Sequence, residues 1–173
     1  AVAVSANIRR AAARLGLPAL RLLRGHSDYA DCLMVESSEQ AVAELDKISG
    51  AVLLTIGSKE LARFTAMRDY QSRLYARVLP TAEALAICAE AGIAASHIIA
   101  MQGPFSRELN LALLRQFQIA ALVTKDGGAA GGFAQKLQAA QELGVAVIVI
   151  RRPEESGLTE TELLRRISEI VEE

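Results

Sequence analysis

Apolar runs of five or six residues alternate with amphipathic runs along most of this chain. The runs at 51–56, 119–124 and 145–150 are almost continuously apolar, as is typical of strands buried on both faces of a parallel sheet. The segments that follow them repeat apolar residues every three or four positions, which indicates helices packed on one side. We therefore predict an α/β fold with Rossmann-like parallel sheets covered by helices on both faces. The predicted strands are 19–23, 31–35, 51–56, 73–79, 97–101, 119–124 and 145–150, and the predicted helices are 2–15, 39–48, 58–67, 80–92, 107–117, 133–143 and 159–170.

Short polar residues mark the starts of several predicted helices. The predicted caps are Ser37, Ser58, Ser106 and Thr159. Gln40 and Glu162, each three positions after one of these caps, complete capping boxes in which side chains satisfy free backbone N–H groups.

The composition excludes several classes of protein. The chain has 173 residues, 51% of them apolar and 4% aromatic, and its formal net charge is −1. This charge gives no general attraction to nucleic acid or anionic lipid, and the aromatic interleaving of a single-strand binder is missing. No apolar run reaches the roughly 18 residues that predict a membrane span. Cys32 and Cys88 form no CxxC motif, so we expect no metal site and a reducing, cytoplasmic location.

Three junctions between a predicted strand and the next helix contain most of the candidate functional residues. They are Thr55–Lys59, Ala100–Ser106 and Thr124–Gly132. Parallel α/β sheets bind ligands at the carboxyl ends of their strands, where loop N–H groups and cations can hold anions. We therefore expect functional residues in these loops.

Each junction also has a purely structural interpretation. Thr55–Lys59 can be a helix start with a surface lysine, and Ala100–Ser106 can be a tight turn with a core phenylalanine. Thr124–Gly132 is harder to explain in this way, because four glycines in six residues cost backbone entropy that a plain connection avoids. This loop is neither a P-loop nor a GxGxxG motif, so it predicts close approach of a ligand without identifying the ligand.

Histidines and arginines are weaker candidates. His97 opens an apolar strand and is expected to be structural, while His26 lies in a polar loop. Neither has the serine or cysteine partner of a hydrolase triad. Arg77 and the pair Arg151–Arg152 lie near strand ends, where they can meet a carboxylate-rich ligand or remain solvated and paired with acids.

Taken in order, these segments resemble the precorrin-6A reductase family, which includes the cobalt-precorrin-6A reductases of cobalamin biosynthesis. The resemblance spans essentially the whole chain and is densest from 51 to 153. The segments that carry it are LLTIGSK at 53–59, RVLP at 77–80, AMQGPFS at 100–106 with Asn110 after it, TKDGG at 124–128, and Arg152–Pro153.

The resemblance implies an NADPH-dependent oxidoreductase that reduces one double bond of precorrin-6A, or of cobalt-precorrin-6A, to give precorrin-6B. It implies two Rossmann-like lobes, with the active site and the tetrapyrrole in the cleft between them. The residues expected to line the site are Thr55, Gly57, Ser58, Lys59, Arg77, Met101, Gln102, Gly103, Pro104, Phe105, Lys125, Asp126, Gly127 and Gly128. Their cations and N–H groups would hold ring carboxylates or cofactor phosphates, while Met101 and Phe105 would pack against the flat ring.

Lys125 is the candidate catalytic residue. A hydride transfer needs orientation and a proton source more than it needs a nucleophile. Lys125, Lys59 or a bound water can protonate the second carbon of the reduced bond, and we favour Lys125 because it lies in the most constrained loop. The alternative, that both lysines only bind anions, stays open at this point.

The resemblance also predicts that the first lobe is incomplete. Family members begin with a strand and a glycine-rich nucleotide loop, and later reach a helix like the one with which this chain starts. We expect an N-terminally truncated protein, with 1–49 as the remainder of a cofactor-binding lobe and 50–173 as a C-terminal Rossmann-like lobe. The alternative function is a non-catalytic anion- or tetrapyrrole-binding α/β module, or an inactive C-terminal fragment. The oligomeric state is not predicted.

Overall fold

A computed structural model, which describes residues 2–22, 31–125, 132–151 and 157–172, contains a six-stranded parallel sheet. The strands are β1 (Cys32–Val35), β2 (Ala51–Leu54), β3 (Leu74–Val78), β4 (Ile98–Ala100), β5 (Ile119–Lys125) and β6 (Ala146–Ile150). They lie in the order β1-β6-β5-β2-β3-β4, and neighbouring strands are parallel throughout. The predicted α/β class and parallel sheet are confirmed.

Helices cover both faces of this sheet. The described residues form helices α1 (Val2–Arg14), α2 (Ser38–Leu45), α3 (Leu61–Phe64), α4 (Tyr70–Arg73), α5 (Ala82–Glu90), α6 (Arg107–Gln116), α7 (Phe133–Glu142) and α8 (Glu160–Glu172), with short 3-10 turns at Ser58–Glu60 and Ala95–His97. Of these, α1 and α8 belong to a second compact unit, described below. One buried cluster joins α2, α3 and α5 to the sheet, and a second joins α6 and α7 to its other face. The chain adds β3 and β4 in one direction across the sheet and then β5 and β6 in the other. Right-handed crossovers that run across a parallel sheet in opposite directions pack on opposite faces, so helices cover both faces.

The reversal in the order in which strands are added creates a topological switch point between β2 and β5. From β2 the chain adds β3 and then β4 on one side, and it returns to place β5 and β6 on the other side of β2. Loops that leave neighbouring strands in opposite directions open a crevice at their carboxyl ends, where α/β proteins bind ligands. The loops after β2 and β5 are two of the three predicted junctions.

Most predicted helix starts are confirmed. Ser37 Oγ accepts a hydrogen bond from the Gln40 backbone N–H at 3.3 Å, and Ser106 Oγ accepts one from the Leu109 N–H at 3.2 Å. Before α8, the backbone N–H of Thr159 donates to the Glu162 carboxylate at 2.8 Å, as in the predicted capping box. These bonds satisfy N–H groups that have no partner within the helix.

The prediction that Ser58 caps a helix to residue 67 is wrong. The chain instead passes through Gly57 at φ +86°, forms a 3-10 turn at Ser58–Glu60 without a side-chain cap, and only then forms α3. A second short helix, α4, begins at Asp69, whose own φ is +56°. The two residues with positive φ flank the segment 58–67, and within it a 3-10 turn and one turn of α-helix replace the single helix that the apolar spacing indicated.

The chain divides into two compact units, Ala1–Gly25 with Pro153–Glu173, and His26–Arg152. In the first unit the predicted strand at 19–23 appears, within the described residues, as a parallel bridge between Leu22 and Leu158. The second unit contains the whole six-stranded sheet, because β1 pairs with β6. The division into lobes at residues 49 and 50 stays a prediction. No helix among the described residues is long and apolar enough to cross a membrane.

Candidate functional site at the carboxyl edge of the sheet

An ion pair joins the end of β5 to the turn after β2, at the switch point. Lys125, the last residue of β5, donates its ammonium to the Glu60 carboxylate in the turn after β2. The second oxygen of Glu60 accepts a hydrogen bond of 2.7 Å from the hydroxyl of Ser38, which is buried in the first turn of α2. Lys125 is therefore held in a fixed position at the edge, with its charge opposed by a carboxylate.

The environment of Glu60 favours its ionised form. Partial burial acts to raise the pKa of the Glu60 carboxyl, but hydrogen bonds from Lys125 and Ser38, together with the charge of Lys125, outweigh this effect and lower the pKa below its ordinary value. At neutral pH the pair is therefore fully formed. It exposes about a third of each side chain, 33% for Lys125 and 32% for Glu60.

Replacing Glu60 with glutamine is expected to lower the free energy of unfolding at pH 7 by about 1 kcal/mol or less, because a pair this exposed is screened by water. A carboxyl with a lowered folded-state pKa contributes stability above its unfolded pKa and loses it as the pH falls through the folded value. The difference between the parent protein and Glu60→Gln should therefore shrink below about pH 4. Urea denaturation from pH 3 to 7 measures it, and a difference that is constant over this range contradicts the account.

The loop after β2 carries an exposed cation, Lys59. Thr55 anchors the loop, because its backbone N–H and its hydroxyl both donate to the Val123 carbonyl, at 2.9 and 3.0 Å. A Cβ built on Gly57 meets no atom within 4 Å, so the space above this turn is open. Ser58 is half-buried, while Lys59 is exposed and forms no ion pair with any described residue. Of the predicted residues in this loop, Lys59 is the one with a free charge.

A second group of side chains lies where β3 and β4 end. The guanidinium carbon of Arg77, in β3, lies 4.1 Å from the centre of the Phe105 ring in the loop after β4. Arg77 also donates from Nη1 to Asn110 Oδ1 at 2.9 Å, and Asn110 donates from Nδ2 to the Ser106 carbonyl at 2.7 Å. The structure thus brings together two predicted site residues, Arg77 and Phe105.

The rest of the 101–106 loop supports Phe105. Met101 is half-buried, and its N–H donates to the Val78 carbonyl at 3.0 Å, whereas Gln102, Gly103 and Pro104 are exposed. The bond between Gly103 and Pro104 is cis. A Cβ on Gly103 would lie 3.0 Å from the Phe105 ring, so a larger residue there would displace the ring.

Three polar residues of this edge were not predicted as site residues: Glu60, Asn110 and Lys136. Lys136 in α7 is buried, and its ammonium donates to Thr124 Oγ1 at 2.9 Å, at the end of β5. Asn110 and Lys136 lie on the inward faces of their helices, next to Leu111 and Leu137 in sequence. A polar residue at a position where the helical period requires an apolar one is a signal that could have identified both.

Other predicted positions have structural roles or lie outside the described residues. His97 donates from Nδ1 to the Leu74 carbonyl at 3.2 Å and stacks on Tyr75 with ring centres 4.2 Å apart, as expected for a structural histidine. Arg151 forms an exposed ion pair of 3.3 Å with Glu36. The positions outside the described residues are His26, Asp126, Gly127, Gly128 and Arg152. No cluster of potential metal ligands occurs among the described residues.

Comparison with known proteins identifies the family. The family model for Precorrin-6x reductase CbiJ/CobK matches residues 1–173. The chain belongs to this family. A cobalt-precorrin-6A reductase of Priestia megaterium is 37% identical over 153 residues, which cover 86% of this chain and 60% of that protein. Another, from Methanothermobacter thermautotrophicus, is 50% identical over 82 residues, or 47% of this chain and 27% of that protein.

The fold is also shared with a solved member of the family. A CobK precorrin-6A reductase superposes with a TM-score of 0.72 and 27% sequence identity, over 96% of this chain and 68% of that one. The resemblance drawn from the sequence is therefore confirmed at the level of family and fold. The chain spans 60% of the length of the Priestia relative and 27% of the Methanothermobacter relative.

Proposed function

We propose that this protein carries out the NADPH-dependent reduction of one double bond in precorrin-6A, or in its cobalt form, to precorrin-6B. The observation that carries the proposal is the match to the Precorrin-6x reductase family over residues 1–173. Every curated relative named above is called a cobalt-precorrin-6A reductase. A cytoplasmic location remains the expectation from the sequence.

The chemistry of the carboxyl edge fits a flat, carboxylate-rich substrate. Phe105 and Met101 supply apolar surface, and Lys59 and Arg77 supply cations that are not neutralised by described carboxylates. Ligand sites of this kind combine apolar walls with a few fixed polar groups. The open space at Gly57 beside Lys59 also suits a phosphate or carboxylate that approaches the backbone.

The two lysines have different surroundings, and we assign them different tasks. NADPH, when bound, supplies the hydride, so the chain must orient the substrate and deliver one proton. Lys59 is exposed and unpaired among the described residues, which suits the binding of an anion. Lys125 is held by Glu60, so its net attraction for an anion is small while its proton lies at a fixed position. Lys125 is therefore the proposed proton donor.

The test is the oxidation of NADPH by the protein as its gene encodes it, with precorrin-6A and cobalt-precorrin-6A supplied separately. We expect loss of the absorbance of NADPH near its usual maximum, with formation of one equivalent of the dihydro product for each NADPH consumed. Binding of NADPH and the tetrapyrrole without oxidation would favour the alternative, a non-catalytic ligand-binding module. The same assay on the 173-residue chain alone shows whether this part suffices.

A further inference from the structure

Arg77 is a buried charge without an acidic partner among the residues that the structure describes. Only 6% of its surface is exposed, and burial lowers the pKa of its guanidinium to about 10, so it remains protonated at neutral pH. No described carboxylate lies within ion-pairing distance of it. Buried charges in proteins are normally paired, because desolvation of an ion costs far more than one neutral hydrogen bond returns.

The contacts of Arg77 fix its position but offset its charge only in part. Nη1 donates to Asn110 Oδ1, and Nδ2 of the same amide donates to the Ser106 carbonyl, so the orientation of Asn110 is determined. The face of the guanidinium lies against the Phe105 ring, an attraction that is weaker than an ion pair. Both contacts come from the segment after β4, so the guanidinium lies at the carboxyl edge of the sheet.

The remaining donors of Arg77 are available to a ligand. Nε and Nη2 donate to no described residue. No buried side-chain nitrogen or oxygen of the described residues lacks a partner, so these two nitrogens must reach the surface. An arginine held on one side and open on the other presents the planar fork that binds a carboxylate through two parallel hydrogen bonds.

We propose that Arg77 is a recessed anchor for one carboxylate of a flat, polycarboxylated ligand that packs on Phe105. The ring and the guanidinium are in contact, so a ligand with an apolar plane and a carboxylate on its rim engages both at once. A flat ligand without the carboxylate leaves the charge of Arg77 uncompensated and binds weakly. The identity of the natural ligand, a precorrin, rests on the proposed function, but the anchor itself rests on the surroundings of Arg77.

Asn110→Asp is the sharpest test, because it places a carboxylate beside Arg77 without changing the shape of the side chain. The new internal ion pair satisfies the guanidinium, whereas the hydrogen bond from Asn110 Nδ2 to the Ser106 carbonyl is lost, so the two effects oppose each other and the fold should be retained. It also removes the attraction for an external anion. A merely structural role for Arg77 predicts no loss of binding. Arg77→Lys keeps the charge but loses the fork, and Arg115→Gln, at an exposed position of α6, serves as the matched control.

The probe is uroporphyrin, a flat tetrapyrrole with eight carboxylates, titrated by its fluorescence against the full-length protein. We expect Asn110→Asp to weaken binding roughly tenfold or more, as for loss of one partner of a buried charge pair, while the protein keeps a cooperative thermal transition. Arg77→Lys should lie between this variant and the parent, and Arg115→Gln should match the parent. Equal affinity of Asn110→Asp and the parent, or no binding of uroporphyrin by the parent, overturns the anchor.

The anchor and the proposed reaction can fail separately. If the parent binds uroporphyrin and Asn110→Asp does not, but precorrin-6A fails to elicit NADPH oxidation, the anchor stands and the reductase proposal falls. If the parent reduces precorrin-6A and Asn110→Asp has the same KM for it, the reductase proposal stands and the anchor falls. A raised KM with little change in kcat is the result expected for a group that binds substrate away from the reacting bond.

Discussion

Replacing Phe64 with alanine is expected to lower the free energy of unfolding by about 3–5 kcal/mol, the usual cost of emptying a fully buried aromatic site. Phe64 has 0% exposure and lies at the end of α3, where it packs into the cluster beneath β2 and β3. The same short helix begins immediately after Glu60, so loss of this contact also frees the turn that holds Lys125. Urea denaturation followed by far-ultraviolet circular dichroism measures the change.

The control for this prediction is Leu79→Ala, at a leucine that is 55% exposed after β3. A surface substitution of this kind should change the free energy of unfolding by about 0.5 kcal/mol or less. If Phe64→Ala costs no more than Leu79→Ala, the segment 58–64 does not pack as described, and the geometry of the Glu60–Lys125 pair is also in doubt.

The sheet was predictable because its strands are buried on both faces. Runs such as 119–124 and 145–150 are expected to be apolar throughout when helices cover both sides, and at six residues they are too short for a typical buried helix. The order of the strands was not predictable in the same way, since it depends on the side of the sheet on which each crossover places the next strand. The segment 58–67 was predicted wrongly for a local reason: its apolar spacing is helical, but the chain forms a 3-10 turn at Ser58–Glu60 and only one turn of α-helix at Leu61–Phe64.

The sequence indicated which loops contribute to the candidate site, but not which of their side chains are in contact. The sequence identified Arg77 and Phe105 separately, and the structure shows that they touch. It also identified Lys125, but not Glu60, because an ion pair between residues 65 positions apart depends on the neighbouring positions of β2 and β5 in the sheet. Polar residues on inward helix faces, such as Asn110, can be detected from the sequence, because they occupy positions where the helical periodicity predicts an apolar residue.

Three cations of this edge, Arg77, Lys59 and Lys125, have different electrostatic surroundings, which suits them to different tasks. Arg77 is buried and unpaired among described residues, Lys59 is exposed and unpaired, and Lys125 is paired with a carboxylate. Arg77 and Lys125 also lie on opposite faces of the sheet. Tyr75 and Val123, two residues earlier on the same strands, pack into different clusters, and side chains two positions apart share a face. An anionic substrate would therefore be held by the two unpaired cations, which leaves Lys125 free of that task.

Under the proposed function, Lys125→Met in the full-length protein is expected to lower kcat by about 10²–10⁴-fold, the usual contribution of a positioned general acid, with little change in KM. Lys59→Met should instead raise KM and leave kcat nearly unchanged, because it removes binding that is equal in the ground and transition states. Lys47→Met is the matched control, because Lys47 is exposed beyond the end of α2 and pairs with Glu44 at 2.8 Å. Steady-state kinetics with precorrin-6A and NADPH distinguishes these outcomes. A rise in KM alone for Lys125→Met would mean that both lysines bind anions and that the proton comes from another source, while unchanged kinetics would remove Lys125 from the site.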